Sequence, residues 1–486
     1  MKLANLLKNI KIKNSLTSNP EILSVEFDAN KVKKGSLFVS LKNEPQNLLL
    51  AIKNGAVACV INNEFNLNVP CVVVANVRKA FSLICKNFYN CACDSFKIVM
   101  VTGTNGKTSV TYILNNIFKC CGIKSAIVGT NGIFFDNKQL YYGLTTPDPN
   151  DLHYYFNELK KLNVTHVVME ASAHAIKLCK LAGIKAEQII FTNITNEHLD
   201  FFKTMKKYAN TKLNFINKNN TSLAIVNVDD GFGVKLLNKN LQTISYGLTN
   251  PADSFAIDIN NSIMGLSFVC NVMDNIININ SKLMGLYNVY NILAAITSAV
   301  CLGLDIKKIE LGVNSLVSIP GRFNKYLLDL NNLVIIDFAH TPDGFFNVLS
   351  EVRVLRKGKV ITLFGCVGYS DKQKRILMGE VASKFSDELI LTTDNPNFEN
   401  FDDICSDISK NVSVPYTKIF NREQAVEYAF SKLEKNSTIM LLGKGAETSN
   451  LINGVKVPYS EISTVEKCIE QFYNVKKGVN NDVGVI

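Results

Sequence analysis

Gly103-Thr-Asn-Gly-Lys-Thr108 sets two glycines, a lysine and a hydroxyl directly after the apolar run Val99-Met-Val-Thr102. Such a turn can cradle nucleotide phosphates. Its backbone N–H groups and the N-terminus of the following helix face the anion, Lys107 reaches the outer phosphates, and the Thr108 hydroxyl meets Mg²⁺. The turn departs from the common G-x-x-x-x-G-K-[ST] form, since position 101 is Val and the turn begins at Gly103. The candidate phosphate contacts are Gly103, Thr104, Asn105, Gly106, Lys107, Thr108 and Ser109. A nucleoside triphosphate is the expected ligand.

Three further groups follow strand-like runs. Glu170 ends Val167-Val-Met-Glu170, and a carboxylate at that end of a strand can hold Mg²⁺ or orient water. Standing alone it would read as an acid at a helix N-terminus. His198, in Asn193-Ile-Thr-Asn-Glu-His-Leu-Asp200, is by itself more often a turn or core residue than a ligand. Lys212, in Tyr208-Ala-Asn-Thr-Lys212, reads by spacing as a helix-surface lysine. Asn227-Val-Asp-Asp230 could meet a nucleotide or be merely a turn.

For these groups to meet, parallel strands must bring their C-terminal ends to one edge of a sheet. The apolar pattern provides such strands at 98–101, 125–128, 166–170, 188–192 and 222–227, with helical spacing at 110–118. Residues 1–93 form a smaller block with strands at 36–41, 58–62 and 71–74. Ile319-Pro-Gly-Arg322 is a turn that opens a third block, with strands at 333–338, 359–364, 388–393 and 437–442 and no G-x-G-x-x-G. The expectation is an α/β protein of three domains, 1–93, 94–322 and 323–486. They are a small N-terminal α/β unit, a central P-loop-type parallel sheet and a C-terminal Rossmann-like domain. From about Lys476 the chain reads as a tail.

A length of 486 residues suits three domains at roughly 150 residues each. A hydrophobic content of 47% excludes a disordered chain. The net charge of +10 is spread along the chain, without the basic stripe and interleaved aromatics that would suggest a nucleic-acid partner. No signal-peptide pattern and no apolar run of about 18 residues occurs. The 13 cysteines lack zinc-site spacing and read as free thiols. A cytoplasmic monomer without membrane insertion is expected.

Taken in order, further motifs join these groups. They are Thr145-Thr-Pro-Asp148, Met169-Glu-Ala-Ser-Ala-His174, Tyr208…Lys212, Gly285-Leu-Tyr-Asn…Asn291 and Pro320-Gly-Arg322. Asp337-Phe-Ala-His-Thr-Pro-Asp343, Asp394-Asn-Pro396 and Gly443-Lys-Gly445 complete the set. The series resembles the Mur ligase family along essentially the whole chain, and is most similar to the branch that adds the third residue of the muramyl peptide. The resemblance implies an ATP- and Mg²⁺-dependent acid–amino-acid ligase acting on UDP-N-acetylmuramoyl-L-Ala-D-Glu through an acyl phosphate. It implies that Lys107, Glu170, His198 and Lys212 are catalytic. Thr108 and Glu170 would hold one Mg²⁺, His198 would help hold another, and Lys212 would be carbamylated. Asn291 would contact adenine, while Arg322, Asp337 and His340 close on ATP. Thr145, Thr146, Ser172, Lys180, Asp394, Asn395, Gly443 and Glu447 would meet the substrates.

The departures from the family pattern carry their own expectations. Asp28-Ala-Asn30 replaces the usual Asp-Ser-Arg, and the Asp-Gly-His/Arg segment is missing around 43–47. Lys180 replaces the arginine that clamps the D-Glu carboxylate, and Glu197 stands where Asp is usual. Val367-Gly-Tyr-Ser-Asp371 replaces Gly-Gly-Asp-Arg-Asp, and Asn397 replaces the arginine often found after Asp-Asn-Pro. Both arginines that bind the carboxylates of meso-diaminopimelate are thus neutral residues here, while Glu447 still matches the acid that receives a distal ammonium. L-lysine is the amino acid expected, with ornithine next, and Lys372, Lys374 or Arg375 as substitutes for the lost α-carboxylate contact. Two other readings are a ligase of this fold acting on a folyl-polyglutamate or cyanophycin-like carboxylate, and a non-catalytic nucleotide-binding relative. The intact Lys107, Thr108, Glu170, His198 and Lys212 disfavour the latter.

The altered first domain leads us to expect weaker uridine-nucleotide contacts than is usual for the family. Calorimetric titration of UDP measures this directly. Tight binding would show that Ser36 or backbone groups have taken over the contact.

Overall fold

The computed structural model describes residues 1–42, 44–63, 65 and 67–473. Asn43, in the altered segment, and the tail from Lys476 lie outside the described residues. Three sheets divide the chain, as the sequence pattern requires. The first is a four-stranded parallel sheet built from Ser24–Glu26, Ser36–Val39, Ala56–Ile61 and Cys71–Val73 in sequence order.

The second sheet has eleven strands. At its centre, Lys97–Thr102 pairs in parallel with Ala186–Phe191 on one side and His166–Glu170 on the other. Ser125–Gly129 and Thr221–Asn227 extend the parallel core outward. The physical cause is the period of two along each strand. Ile98 and Met100 enter one hydrophobic cluster while Val99 and Val101 enter another, and all four are essentially fully buried. Helices cover both faces, so both sets of side chains leave water, worth about 1.5–3 kcal/mol for each fully buried valine, isoleucine or methionine. Lys107–Cys120 and Leu286–Cys301 pack on the Val99/Val101 face.

The strand assignments at the centre hold to within one or two residues, but the sheet runs well beyond them. Ser254–Ser262, Gly265–Val272 and Asn275–Ser281 form an antiparallel extension at one edge, and Gly132–Phe135 with Lys138–Tyr141 another. In the first, core residues such as Phe268, Ile277 and Ile279 alternate with asparagine and serine, which hides the strand signal from a search for apolar runs.

The third sheet orders as Asn324–Leu328, Asn332–Asp337, Thr438–Leu442, Val360–Phe364, Glu388–Leu391 and Tyr416–Lys418, antiparallel in its first pair and parallel beyond it. Leu333 and Ile335 enter one core, Val334 and Ile336 the other. A hairpin of Ser449–Ile452 and Val455–Pro458 stands beside the ends of these strands. All 13 cysteines are free, and no described helix is long and apolar enough to cross a membrane.

One buried ion pair ties the last helix to the strand ends of this sheet. Arg422 Nε and Nη2 donate to the Glu461 carboxylate at 2.8 Å each, while Nη1 and Nη2 donate to Thr393 O at 3.1 Å and Leu442 O at 2.9 Å. Removing one partner would leave the other charge buried without compensation. We expect Arg422→Ala to destabilise the C-terminal unit by about 3–5 kcal/mol. The measurement is the guanidinium midpoint of its unfolding.

Candidate active site

The glycine turn leaves no room for side chains. Gly103 has φ +150°, and a Cβ there would collide with the Thr192 hydroxyl. Its neighbours are pinned from a second strand end: Thr104 N donates to Asn193 O at 2.8 Å, and Thr192 Oγ1 donates to Asn105 O at 2.6 Å. The Lys107 ammonium folds onto its own turn, donating to Gly103 O at 3.0 Å and Thr104 O at 2.7 Å.

Two clusters of functional side chains flank this turn. In the first, Thr108 Oγ1 donates to Glu170 Oε1 at 2.9 Å and accepts from Arg322 Nη2 at 2.9 Å. The Glu170 carboxylate also accepts from Thr130 N at 2.9 Å and Thr130 Oγ1 at 3.0 Å. A hydroxyl beside a buried carboxylate is a hard oxygen donor set of the kind Mg²⁺ takes, so the residues fit that ion. Among the described residues no group of three His, Cys, Asp or Glu is placed to hold a metal.

The second cluster centres on Glu197, a residue absent from the candidate set. Its buried carboxylate accepts from Tyr208 Oη at 3.1 Å and lies 3.3 Å from His340 Nε2 and 3.5 Å from His198 Nε2. Burial pushes the carboxyl up, but His340, His198 and Lys107 outweigh it and hold the group well below its ordinary range. Burial lowers His198 to about 4, so its ring is neutral at pH 7 and its nitrogens can act as ligands. Glu197 was visible in the sequence as one acid in a polar run. Nothing in the run said that its charge faces two histidines from different domains.

Lys212 overturns its reading as a surface residue. It is 1% exposed, lies 5.0 Å over the Tyr208 ring, and its Nζ donates to Gly103 O. Burial first, then the nearby Lys107 charge, lowers its ammonium well below the ordinary range, which favours the nucleophilic neutral amine. Helical spacing alone could not reveal this, because the face of Met205–Phe215 that carries Lys212 packs against the turn.

A cavity of about 720 Å³ opens between the central and C-terminal domains, lined by Asn105, Ser109, Asn291, Arg322, Asp337 and Tyr290 among others. Asn105 Nδ2 donates across it to Asp343 Oδ2 at 2.7 Å. Asp337 is buried and accepts from Phe323 N at 2.8 Å and Ala339 N at 2.7 Å. Its carboxylate therefore shapes the seam backbone. His340 meets Glu197 and does not line the cavity.

The candidate substrate residues divide. Thr146 Oγ1 donates to Glu170 O at 2.8 Å and to Ser172 Oγ at 3.2 Å, which draws these two candidates together, and Thr145 Oγ1 lies 3.2 Å from Thr130 Oγ1. Lys180 is paired with Asp148 at 2.8 Å. In the C-terminal domain, Lys444 is wholly buried, 3.3 Å from Asp394 and 2.9 Å from Glu447, and donates to Asn395 Oδ1 at 2.8 Å. Gly443, at φ +104°, brings the backbone against the Asp394 carboxylate. Arg375 is not free to bind a substrate carboxylate, since Glu399 and Asp407 already hold its guanidinium. In the first domain the Ser36 hydroxyl is buried, 2.8 Å from Ser24 Oγ, and accepts from Lys33 N at 2.9 Å.

Known proteins share this architecture. The Mur ligase middle domain matches residues 101–299, and the Mur ligase glutamate ligase domain matches 321–445. A UDP-N-acetylmuramoyl-L-alanyl-D-glutamate–2,6-diaminopimelate ligase of Caldanaerobacter subterraneus subsp. tengcongensis is 36% identical over 481 residues, covering 97% of this chain and 99% of the relative. A solved structure of a ligase of the same name aligns with a TM-score of 0.68 at 26% identity, over 97% of this chain and 99% of the other. The MurF ligase of Thermotoga maritima, solved in complex with ADP, shares the fold with a TM-score of 0.61 at 19% identity, over 92% and 97% of the two chains. With the glycine turn and its two flanking clusters in place, the chain belongs to the Mur ligase family of ATP-dependent ligases.

Proposed function

We propose that this enzyme joins an amino acid to the D-Glu γ-carboxylate of UDP-N-acetylmuramoyl-L-Ala-D-Glu in peptidoglycan synthesis, with domain boundaries at 93/94 and 322/323. The substrate carboxylate attacks the γ-phosphorus of ATP, the bond from that phosphorus to the bridging oxygen breaks, and ADP leaves an acyl phosphate. The amine of the incoming amino acid then attacks the acyl carbon, and the tetrahedral intermediate expels inorganic phosphate.

Two anions must approach each other, so charge neutralisation and positioning are the main tasks of the protein. Lys107 swings from its own carbonyls to the outer phosphates. Arg322 follows from the Thr108 side, and Asn291 contacts the base. Mg²⁺, held by Thr108 and Glu170 and on the other flank by His198 and Lys212, would neutralise phosphate charge. The observation that carries this reading is the burial of Lys212 against the glycine turn, with its Nζ on the Gly103 carbonyl. Only a neutral amine adds to CO₂, and the resulting carbamate presents hard anionic oxygens where an ammonium could not.

For the amino acid we propose L-lysine. Two carboxylates, Asp394 and Glu447, face one buried ammonium, Lys444, which leaves one negative charge for a cationic side chain. Ser370 Oγ donates to Val367 O at 2.6 Å and Asn397 Oδ1 accepts from Gly454 N at 3.0 Å, so neither supplies a cation for a second carboxylate. The names of the relatives favour a second reading, 2,6-diaminopimelate.

Lys212→Ala is expected to abolish amide formation while ADP binding, followed by calorimetry, stays within a few-fold of wild type. Full ligase activity in that variant would overturn the carbamate assignment. For the amino acid, ADP release with the muramyl dipeptide is compared across L-lysine, ornithine and meso-diaminopimelate. Loss of a buried charged hydrogen bond is worth about 1.5–3 kcal/mol, so lysine should exceed diaminopimelate by at least about tenfold in kcat/KM. The opposite preference would establish the second reading.

A further inference from the structure

Two loops border the Asp394–Lys444–Glu447 cluster: residues 367–371, after strand Val360–Phe364, and residues 395–400, after strand Glu388–Leu391. They lie so close that a Cβ at Gly368 would run into Pro396 O, and Gly368 N donates to Asn395 O at 3.0 Å. Asn395 is itself a member of the cluster, donating to Glu447 Oε2 at 3.1 Å.

The two loops are joined by an ion pair outside the candidate set. Arg375, 0% exposed, donates Nη1 to Glu399 Oε1 at 2.6 Å and Nη2 to Glu399 Oε2 at 2.7 Å. The same guanidinium reaches Val367 O at 3.1 Å and Asp407 Oδ2 at 3.2 Å. Its Nε has no partner, so the group is committed to this pairing although one donor stays unsatisfied. Glu399 also accepts from the backbone N–H of Tyr369.

That last contact matters because Tyr369 has φ +54°, and a bulky residue in the left-handed region is strained. Its side chain is 67% exposed, so burial of the ring does not hold the backbone there. The Glu399 carboxylate accepts its N–H, and a bidentate arginine fixes that carboxylate in direction as well as charge. The Arg375 hydrogen bonds hold the Glu399 carboxyl down at about 2, so the pair stays ionised across the working pH range.

We propose that Arg375 and Glu399 are positioning residues for amino-acid selection. They lock the Tyr369 loop against Asn395, and thereby fix the shape of the subsite that receives the incoming amino acid. The inference rests on the ligase reading above. It also explains how a subsite without arginine at 370 or 397 keeps a defined wall: backbone geometry, latched from behind, takes over from charged side chains.

The test uses the full-length enzyme and the amino acid it turns over best. Glu399→Gln keeps shape but loses the charged pairing, and should raise the amino-acid KM about tenfold while the KM for ATP stays within twofold. Tyr369→Gly removes the strain that the latch opposes. In the double variant Y369G/E399Q, the amino-acid KM should therefore return to within about threefold of that of Y369G alone. Thermal unfolding of each variant separates this split from general destabilisation, which would move both KM values or neither. Equal changes in both KM values, or full additivity in the double variant, would overturn the latch. No amino-acid-dependent ADP release by the wild-type protein would overturn the ligase reading, and the latch with it.

Discussion

A carboxylate can be buried and charged only if cations or donors surround it, and Glu197 meets that condition at the seam between two domains. Tyr208 and His198 come from the central domain and His340 from the C-terminal one. Lys107 adds positive potential nearby. Much of the site follows from this one requirement. It draws the segment Phe338-Ala-His340 toward the glycine turn. Beside it, burial lowers both His198 and Lys212 against the opposing pull of the Glu197 charge. The Asn105–Asp343 contact works across the same seam, where the cavity lies between the two domains.

The C-terminal half uses charge differently. Its buried arginines are structural rather than substrate-facing: Arg422 organises the ends of two strands and Arg375 joins two loops. Beside them stand the neutral Ser370, whose hydroxyl donates to Val367 O, and Asn397, whose Oδ1 accepts from Gly454 N. Asn397 stands at φ +54°, a conformation that asparagine tolerates better than arginine would. It ties the Ser449–Ile452 hairpin to the loop through its backbone and side chain.

Much of this protein was legible in one dimension. The period of two along 98–101 and 333–336, and the glycine turn between strand and helix, follow from sterics that act within a few residues. So the α/β class, the three-block order and the phosphate turn were determined by the sequence alone. The antiparallel edge strands escaped, because a strand with one face in water reads as polar sequence.

What the tertiary structure decided is which charges meet. Lys212 and Lys180 look alike in sequence. One is stripped of water beside a second lysine, and the other is paired with Asp148. Arg375 was a plausible carboxylate ligand until Glu399, 24 residues away, claimed it. Glu197 was one acid among several until His340, 143 residues distant, faced it. Coulombic coupling and desolvation depend on distance and burial in space. A linear pattern can therefore name the residue types of a site, but only the folded chain sets their protonation and their partners.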